Sequence, residues 1–190
     1  MKSYSAYFAR SNNLEQARHL FGSADTVTGT PWLICALNKD ASPPDDEVLW
    51  GRVSLTEAYS RQLGEVIFVF GDTSIDAFVY EHAWDGELVR KLVWFPMLDD
   101  AYTPGWLSVA GEPEGWEAGL FRADKLAWLL ERERERYVEE GKARAFAERE
   151  AEIQGVWRER QIEAGKTYPS CDGTAARLVE EGFGIKRAVW

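Results

Sequence analysis

The 190-residue chain is poor in cysteine, histidine and methionine, with two of each, and in long apolar segments. Its longest apolar run, Trp32 to Leu37, is six residues. A bilayer-spanning helix needs about 20. A secretory signal needs an apolar stretch of about 7–15 residues, and Met1 to Arg10 holds none. A soluble, cytoplasmic protein is expected, with no membrane association. Cys35 and Cys171 cannot build a disulfide framework. Cys35 sits in the apolar run and reads as a small buried hydrophobe. Two cysteines and two distant histidines fall short of a four-ligand zinc site without help from carboxylates. No phosphate-loop, dinucleotide or serine-elbow pattern occurs, and Gly182-Phe-Gly184 follows a helix, where it acts as a stop. No metal and no cofactor are expected.

What is present is bulk and charge. Nine tryptophans and nine phenylalanines supply the apolar surface for a core and exclude wholesale disorder. Acidic residues number 32 and basic ones 22, for a net charge of −10. The excess is lopsided: residues 1–115 hold 17 acidic and 8 basic side chains, residues 116–190 hold 15 and 14. A net charge of this sign repels phosphates, so nucleic acid is not an expected partner. The run Glu131-Arg-Glu-Arg-Glu-Arg136 does not change that. On a helix it pairs Glu131 with Arg134 and Glu133 with Arg136, and Arg136–Glu140, Glu140–Arg144 and Arg144–Glu148 continue the self-neutralised face.

Hydrophobic patterning predicts an α+β fold: an antiparallel meander of three to five strands packed against a long C-terminal helical segment. The organisation is a single domain, with an acidic sheet-containing part over 1–115 and a helical part over 116–190. Ser3 to Arg10 alternates as a strand, with Tyr4, Ala6 and Phe8 on one face. Asn12 or Asn13 caps a helix from Leu14 to Phe21, stopped by Gly22. Thr30 to Leu37 is a buried strand, and Asn38 to Glu47 an acidic loop. Ser54 caps a helix ending at Gly64.

Glu65 to Phe70, Ile75 to Trp84 and Glu87 to Phe95 follow as strands, with Gly105 to Ala110 a fourth. Asp85-Gly86 is a two-residue hairpin turn. That turn sets Glu81 opposite Arg90, Tyr80 opposite Lys91, Val79 opposite Leu92 and Phe78 opposite Val93. One face then carries Phe78, Tyr80, His82, Trp84, Val89, Val93 and Phe95. The other carries Ile75, Ala77, Val79, Ala83, Leu88, Leu92 and Trp94. Two apolar faces mean that both are covered, or that an aromatic face is a binding surface. Asp124 to Lys166 lacks proline and is rich in helix formers, with a break expected near Gly141. A last helix spans Thr174 to Glu181.

Three function classes fit this pattern. The first is a binder of a basic protein partner, of the immunity or antitoxin type. Tryptophan anchors and complementary charge are the means of tight association. Its candidate contact residues are Asp45, Asp46, Glu47, Tyr80, His82, Trp84, Asp99, Asp100, Trp106, Glu112, Glu114 and Trp116. The second is a hydrolase or carbohydrate binder using Asp99, Asp100, Glu112 or Glu114 beside Trp106 and Trp116. The third is an assembly component, a homodimer through Leu126, Leu130 and Tyr137. Cys171, in Tyr-Pro-Ser-Cys-Asp-Gly, reads as an inert loop or core thiol, because the adjacent Asp172 works against a thiolate.

The stretch Asp85-Gly-Glu-Leu-Val-Arg-Lys-Leu, with Gly105-Trp106 and Gly111-Glu-Pro-Glu-Gly-Trp-Glu117, resembles a hairpin-and-turn pattern of uncharacterised bacterial proteins. Ala176 to Gly184 resembles a helix that accompanies it. The likeness implies no activity and no site residues.

Overall fold

The computed structural model describes residues 3–44, 54–96 and 103–185. The architecture is α+β, as expected, but the antiparallel sheet has seven strands, more than the three to five of the sequence reading. The strands are β1 (Ser3–Arg10), β2 (Ala24–Thr26), β3 (Trp32–Asn38), β4 (Glu65–Asp72), β5 (Ala77–Trp84), β6 (Glu87–Phe95) and β7 (Gly105–Gly111). Their order is β2-β3-β1-β4-β5-β6-β7. The predicted meander is its second half. The first half arises because β1 inserts between β3 and β4, pairing with both. β2 is three residues long, too short to show a period.

Two helices lie against one face: α1 (Leu14–Phe21) and α2 (Leu55–Leu63). Asn13 caps α1 by accepting from the Gln16 amide at 3.0 Å, and Gly22 ends it in the left-handed region. Ser54 caps α2, accepting from the Thr56 and Glu57 amides. The opposite face buries Tyr4, Phe8, Ile67, Phe78, Tyr80, Leu92, Trp94 and Trp106. It is closed by a 3₁₀ segment (Gly115–Leu120) and by α5 (Ala175–Gly182). Both faces of the hairpin are therefore covered.

The helical segment is not one long helix. α3 (Ala123–Glu139) and α4 (Phe146–Glu159) are separated by a turn holding Gly141 at φ +71°. That positive φ costs glycine nothing and stops α3 where a break was expected. Among the described residues, no helix is long and apolar enough to cross a membrane.

The hairpin register departs from the simple turn-based reading. Trp84↔Glu87 and Ala83↔Leu88 pair as the Asp85-Gly86 turn requires. A bulge then adds one residue to β6, so His82 faces Arg90 and Glu81 faces Lys91. The expected Glu81–Arg90 pair does not form. Beyond the bulge every β6 side chain changes face. Leu92 and Trp94 join Phe78 and Tyr80 in one core, and Val93 joins Ala77 and Val79 in the other. Charge explains why this register wins. Lys91 Nζ lies 3.1 Å from Glu81 Oε1, while Arg90 turns to the other face and meets Glu117. Glu81 Oε2 also accepts from Ser54 Oγ at 2.5 Å and Thr56 Oγ1 at 2.7 Å, tying α2 to the sheet. Arg90 is bidentate to Glu117, Nε to Oε1 at 2.9 Å and Nη2 to Oε2 at 2.7 Å, and donates to the Gly111 carbonyl at 2.6 Å. Gly111 has φ +78°, and a Cβ there would sit 1.9 Å from the Val89 carbonyl oxygen, so the bulge requires glycine opposite it.

Arg90→Ala leaves Glu117 buried and unpaired. The expected loss is about 3–5 kcal/mol of unfolding free energy, read from urea melts. A loss under about 1 kcal/mol, the value of a surface pair, would contradict this account of the bulge.

Candidate functional site

Two groups of the predicted residues come together around the β5–β6–β7 end of the sheet, one inside and one on the rim. Inside, Glu114 precedes the 3₁₀ segment and turns its carboxylate toward the sheet. It accepts from the Tyr80 hydroxyl, from Trp116 Nε1 at 3.0 Å and from His82 Nδ1 at 2.5 Å. A carboxylate acceptor requires the His82 proton on Nδ1. His82 Nε2 stands 3.4 Å from Glu65 Oε1, outside hydrogen-bond geometry. Glu65 in turn holds Arg10 at 3.3 Å. The Phe183 ring stacks edge-on to His82, centroids 5.3 Å apart. Glu117 Oε1 accepts from the Glu114 amide at 2.8 Å, joining this cluster to the Arg90 pair.

Burial raises the Glu114 carboxyl, but the hydrogen bonds from His82 and Tyr80 outweigh it and hold the group below its ordinary 4.5. Burial, then the Glu114 charge, pushes the Tyr80 phenol well above its usual range. An open cleft of about 450 Å³ borders Glu114, Trp116 and Phe183. The Glu114 oxygens, however, are engaged from the interior. The arrangement fastens the 3₁₀ segment to β5, and Gly182 lets α5 close over it: a Cβ there would lie 2.4 Å from Trp116 Cβ.

Tyr80, His82, Trp106 and Trp116 are thus interior residues. Trp106 donates from Nε1 to the Pro169 carbonyl at 3.0 Å. Asp45, Asp46, Glu47, Asp99 and Asp100 lie outside the described residues. Glu112 is exposed, and Glu114 is turned inward. Leu126, Leu130 and Tyr137 on α3 are partly buried, the Tyr137 ring lying 6.0 Å from that of Phe146.

On the rim, the Asp85-Gly86 turn projects Trp84, which is 50% exposed. Its Nε1 donates to Asp85 Oδ2 at 3.0 Å. Glu87 pairs across from Trp84 and is exposed. Val89, displaced by the bulge, is 36% exposed. Glu112 follows Gly111, whose partner is Arg90, so it lies beside Val89. Asp85, Glu87 and Glu112 form no ion pair among the described residues. Arg61 covers Gly86 from α2, its Nη2 3.5 Å from the Gly86 carbonyl. Asp85, Glu87 and Val89 were not among the predicted contact residues. Their signal was the turn itself, which places both flanking residues at a sheet end.

Neither thiol is placed for chemistry. Cys171 is buried; burial, then the Asp172 charge, pushes it well above its usual range. Burial, then Asp25, lifts Cys35 to about 12.

Comparison with known proteins returns no match: no family model, no curated protein and no solved structure.

Two outcomes follow from the interior chemistry. Because the folded Glu114 carboxyl sits below 4.5, its contribution is complete above that pH and fades as pH falls through the lowered value. Glu114→Gln is expected to unfold about 1–3 kcal/mol more easily at neutral pH and to lose less stability than wild type below pH 4.5, in urea melts across the acid range. Native protein at pH 8 is expected to leave both thiols unmodified by a disulfide reagent, and unfolded protein to react at both. Rapid labelling of native Cys171 would contradict its burial.

Proposed function

We infer that the protein binds a basic protein partner, in the manner of an immunity-type neutraliser, through the rim formed by the β5–β6 turn and the end of β7. The observation that carries the reading is a half-exposed tryptophan among carboxylates that form no ion pair among the described residues: Trp84 beside Asp85 and Glu87, with Glu112 next to Val89 at the end of β7. An exposed indole next to apolar Val89 supplies an anchor that loses water on contact. The three carboxylates attract a cationic surface and discriminate against acidic ones. The net charge of −10 extends that attraction beyond the rim. The interior supports the reading by rigidity: the Arg90–Glu117 pair and the Glu114 cluster lock the strands that present the rim, so little ordering is left for binding to pay for.

The experiment is capture from the native cell with wild type and with the variant Trp84→Ala, Asp85→Asn, Glu87→Gln, Glu112→Gln, whose substitutions are all on exposed residues. Wild type is expected to retain a stoichiometric basic protein, and the variant to lose it with its melting temperature intact. With that partner purified, the association rate is expected to fall at least about tenfold between low and physiological salt, as steered encounters do. Absence of a stoichiometric partner, or its equal retention by the variant, would refute the reading.

A further inference from the structure

At the opposite end of β6 from the rim, α3 and α4 frame a cleft of about 400 Å³. Among the described residues that line it, its charge is opposite to that of the molecule. Lys125, Arg132, Arg136 and Arg149 line it, against one lining carboxylate, Glu133. Two of the cations are already engaged. Arg149 lies 3.1 Å from Glu133 and 2.7 Å from Glu152, and Arg136 lies 2.8 Å from Glu133. The other two are held without a carboxylate. Lys125 donates to the Ser170 carbonyl at 3.2 Å, and Arg132 lies over the Trp128 ring, 5.2 Å from its centroid. Neither meets a carboxylate among the described residues.

The walls are aromatic as well: Trp94, Trp128 and Trp157 all contribute. Trp128 is 53% exposed on α3, a helix with no buried residue. Trp157 is fixed, donating from Nε1 to the Arg122 carbonyl at 3.1 Å. Trp94 is 2% exposed, and its indole N–H is buried without an acceptor. A buried donor left unmade is costly, and natural structures seldom tolerate one without a reason.

We propose that this cleft is a binding site for a small planar aromatic anion, a ring bearing a carboxylate or phosphate head. The ring packs among the tryptophans, and the head meets Lys125 and Arg132. The two features are independent: the two cations that meet no carboxylate among the described residues select the charge, and the indole walls select the ring. A bare ion gains nothing from the tryptophans, and a neutral ring gains nothing from the cations. The cleft is separate from the proposed docking rim, so the two tests fail or succeed independently.

The probes are indole-3-acetate and adenosine monophosphate, each a planar ring with an anionic head, with neutral indole, adenosine, acetate and inorganic phosphate as controls. Calorimetry measures affinity, and the nitrogen–proton spectrum follows the indole signals. One of the two anions is expected to bind saturably at least about tenfold more tightly than its ring or head alone and to move the Trp94 indole N–H signal. Arg132→Ala is expected to weaken binding about tenfold, the loss of one charge-assisted contact, and Arg132→Lys to restore part of it. Arg132 is exposed, so both variants keep the fold. Indole binding as tightly as indole-3-acetate, no saturation by either anion at millimolar concentration, or an unchanged affinity in Arg132→Ala would each overturn the proposal.

Discussion

Arg90 and Lys91 are neighbours on β6 and leave it on opposite faces, each into a buried carboxylate. The one-residue bulge before them fixes which face receives which charge. From that choice come the tie between α2 and the sheet through Glu81, the seating of the 3₁₀ segment through Glu117, and the packing of Leu92 and Trp94 with Phe78 and Tyr80. Charges buried singly are expensive, and pairs recover the cost only when their remaining hydrogen-bonding capacity is filled. Here it is: Glu81 is met by two hydroxyls as well as Lys91, and Glu117 by a backbone amide as well as Arg90. The acidic excess of the first 115 residues is thereby partly an internal matter. Glu65, Glu81 and Glu114 serve the interior, and only part of the excess faces water.

The strands and helices could be read from the chain because their signals are local. Alternation marks β1, an unbroken β-rich run ended by Gly71-Asp72 marks β4, Asn13 and Ser54 mark helix starts, and Gly141 marks the break between α3 and α4. β2 escaped, since three residues carry no period. The register past the turn escaped for a different reason. Glu81 can pair with Arg90 or with Lys91, and a sequence with cations at both positions satisfies either alignment. What decides is Glu117, which lies 27 residues beyond Arg90 and accepts the guanidinium only if it points to that face.

The candidate contact residues divide by the same logic. Trp84 and Glu112 remain outside because they flank turns. Tyr80, His82, Trp106 and Trp116 are enclosed because α5 and the 3₁₀ segment fold back over their face, a long-range packing that hinges on small residues such as Gly182 against Trp116. No local pattern announces that a distant helix will cover an aromatic row. The basic cleft escaped for a related reason. Lys125 and Arg132 look like ordinary members of a neutral helix until the fold sets them around the tryptophans of other elements.

Each outer strand of the sheet has one residue with main-chain groups engaged from outside the sheet. Along β7, the Trp106 amide donates to the Lys166 carbonyl at 3.0 Å, and its carbonyl accepts from the Gly165 amide at 2.8 Å. Along β2, Arg18 Nε donates to the Ala24 carbonyl at 3.1 Å. Main-chain zippering by a foreign peptide, the generic route by which sheets polymerise or acquire guests, therefore meets occupied groups at either flank. Rim side chains can be changed singly without touching the scaffold, whereas the buried ion pairs Arg90–Glu117 and Lys91–Glu81 tolerate change only in matched pairs.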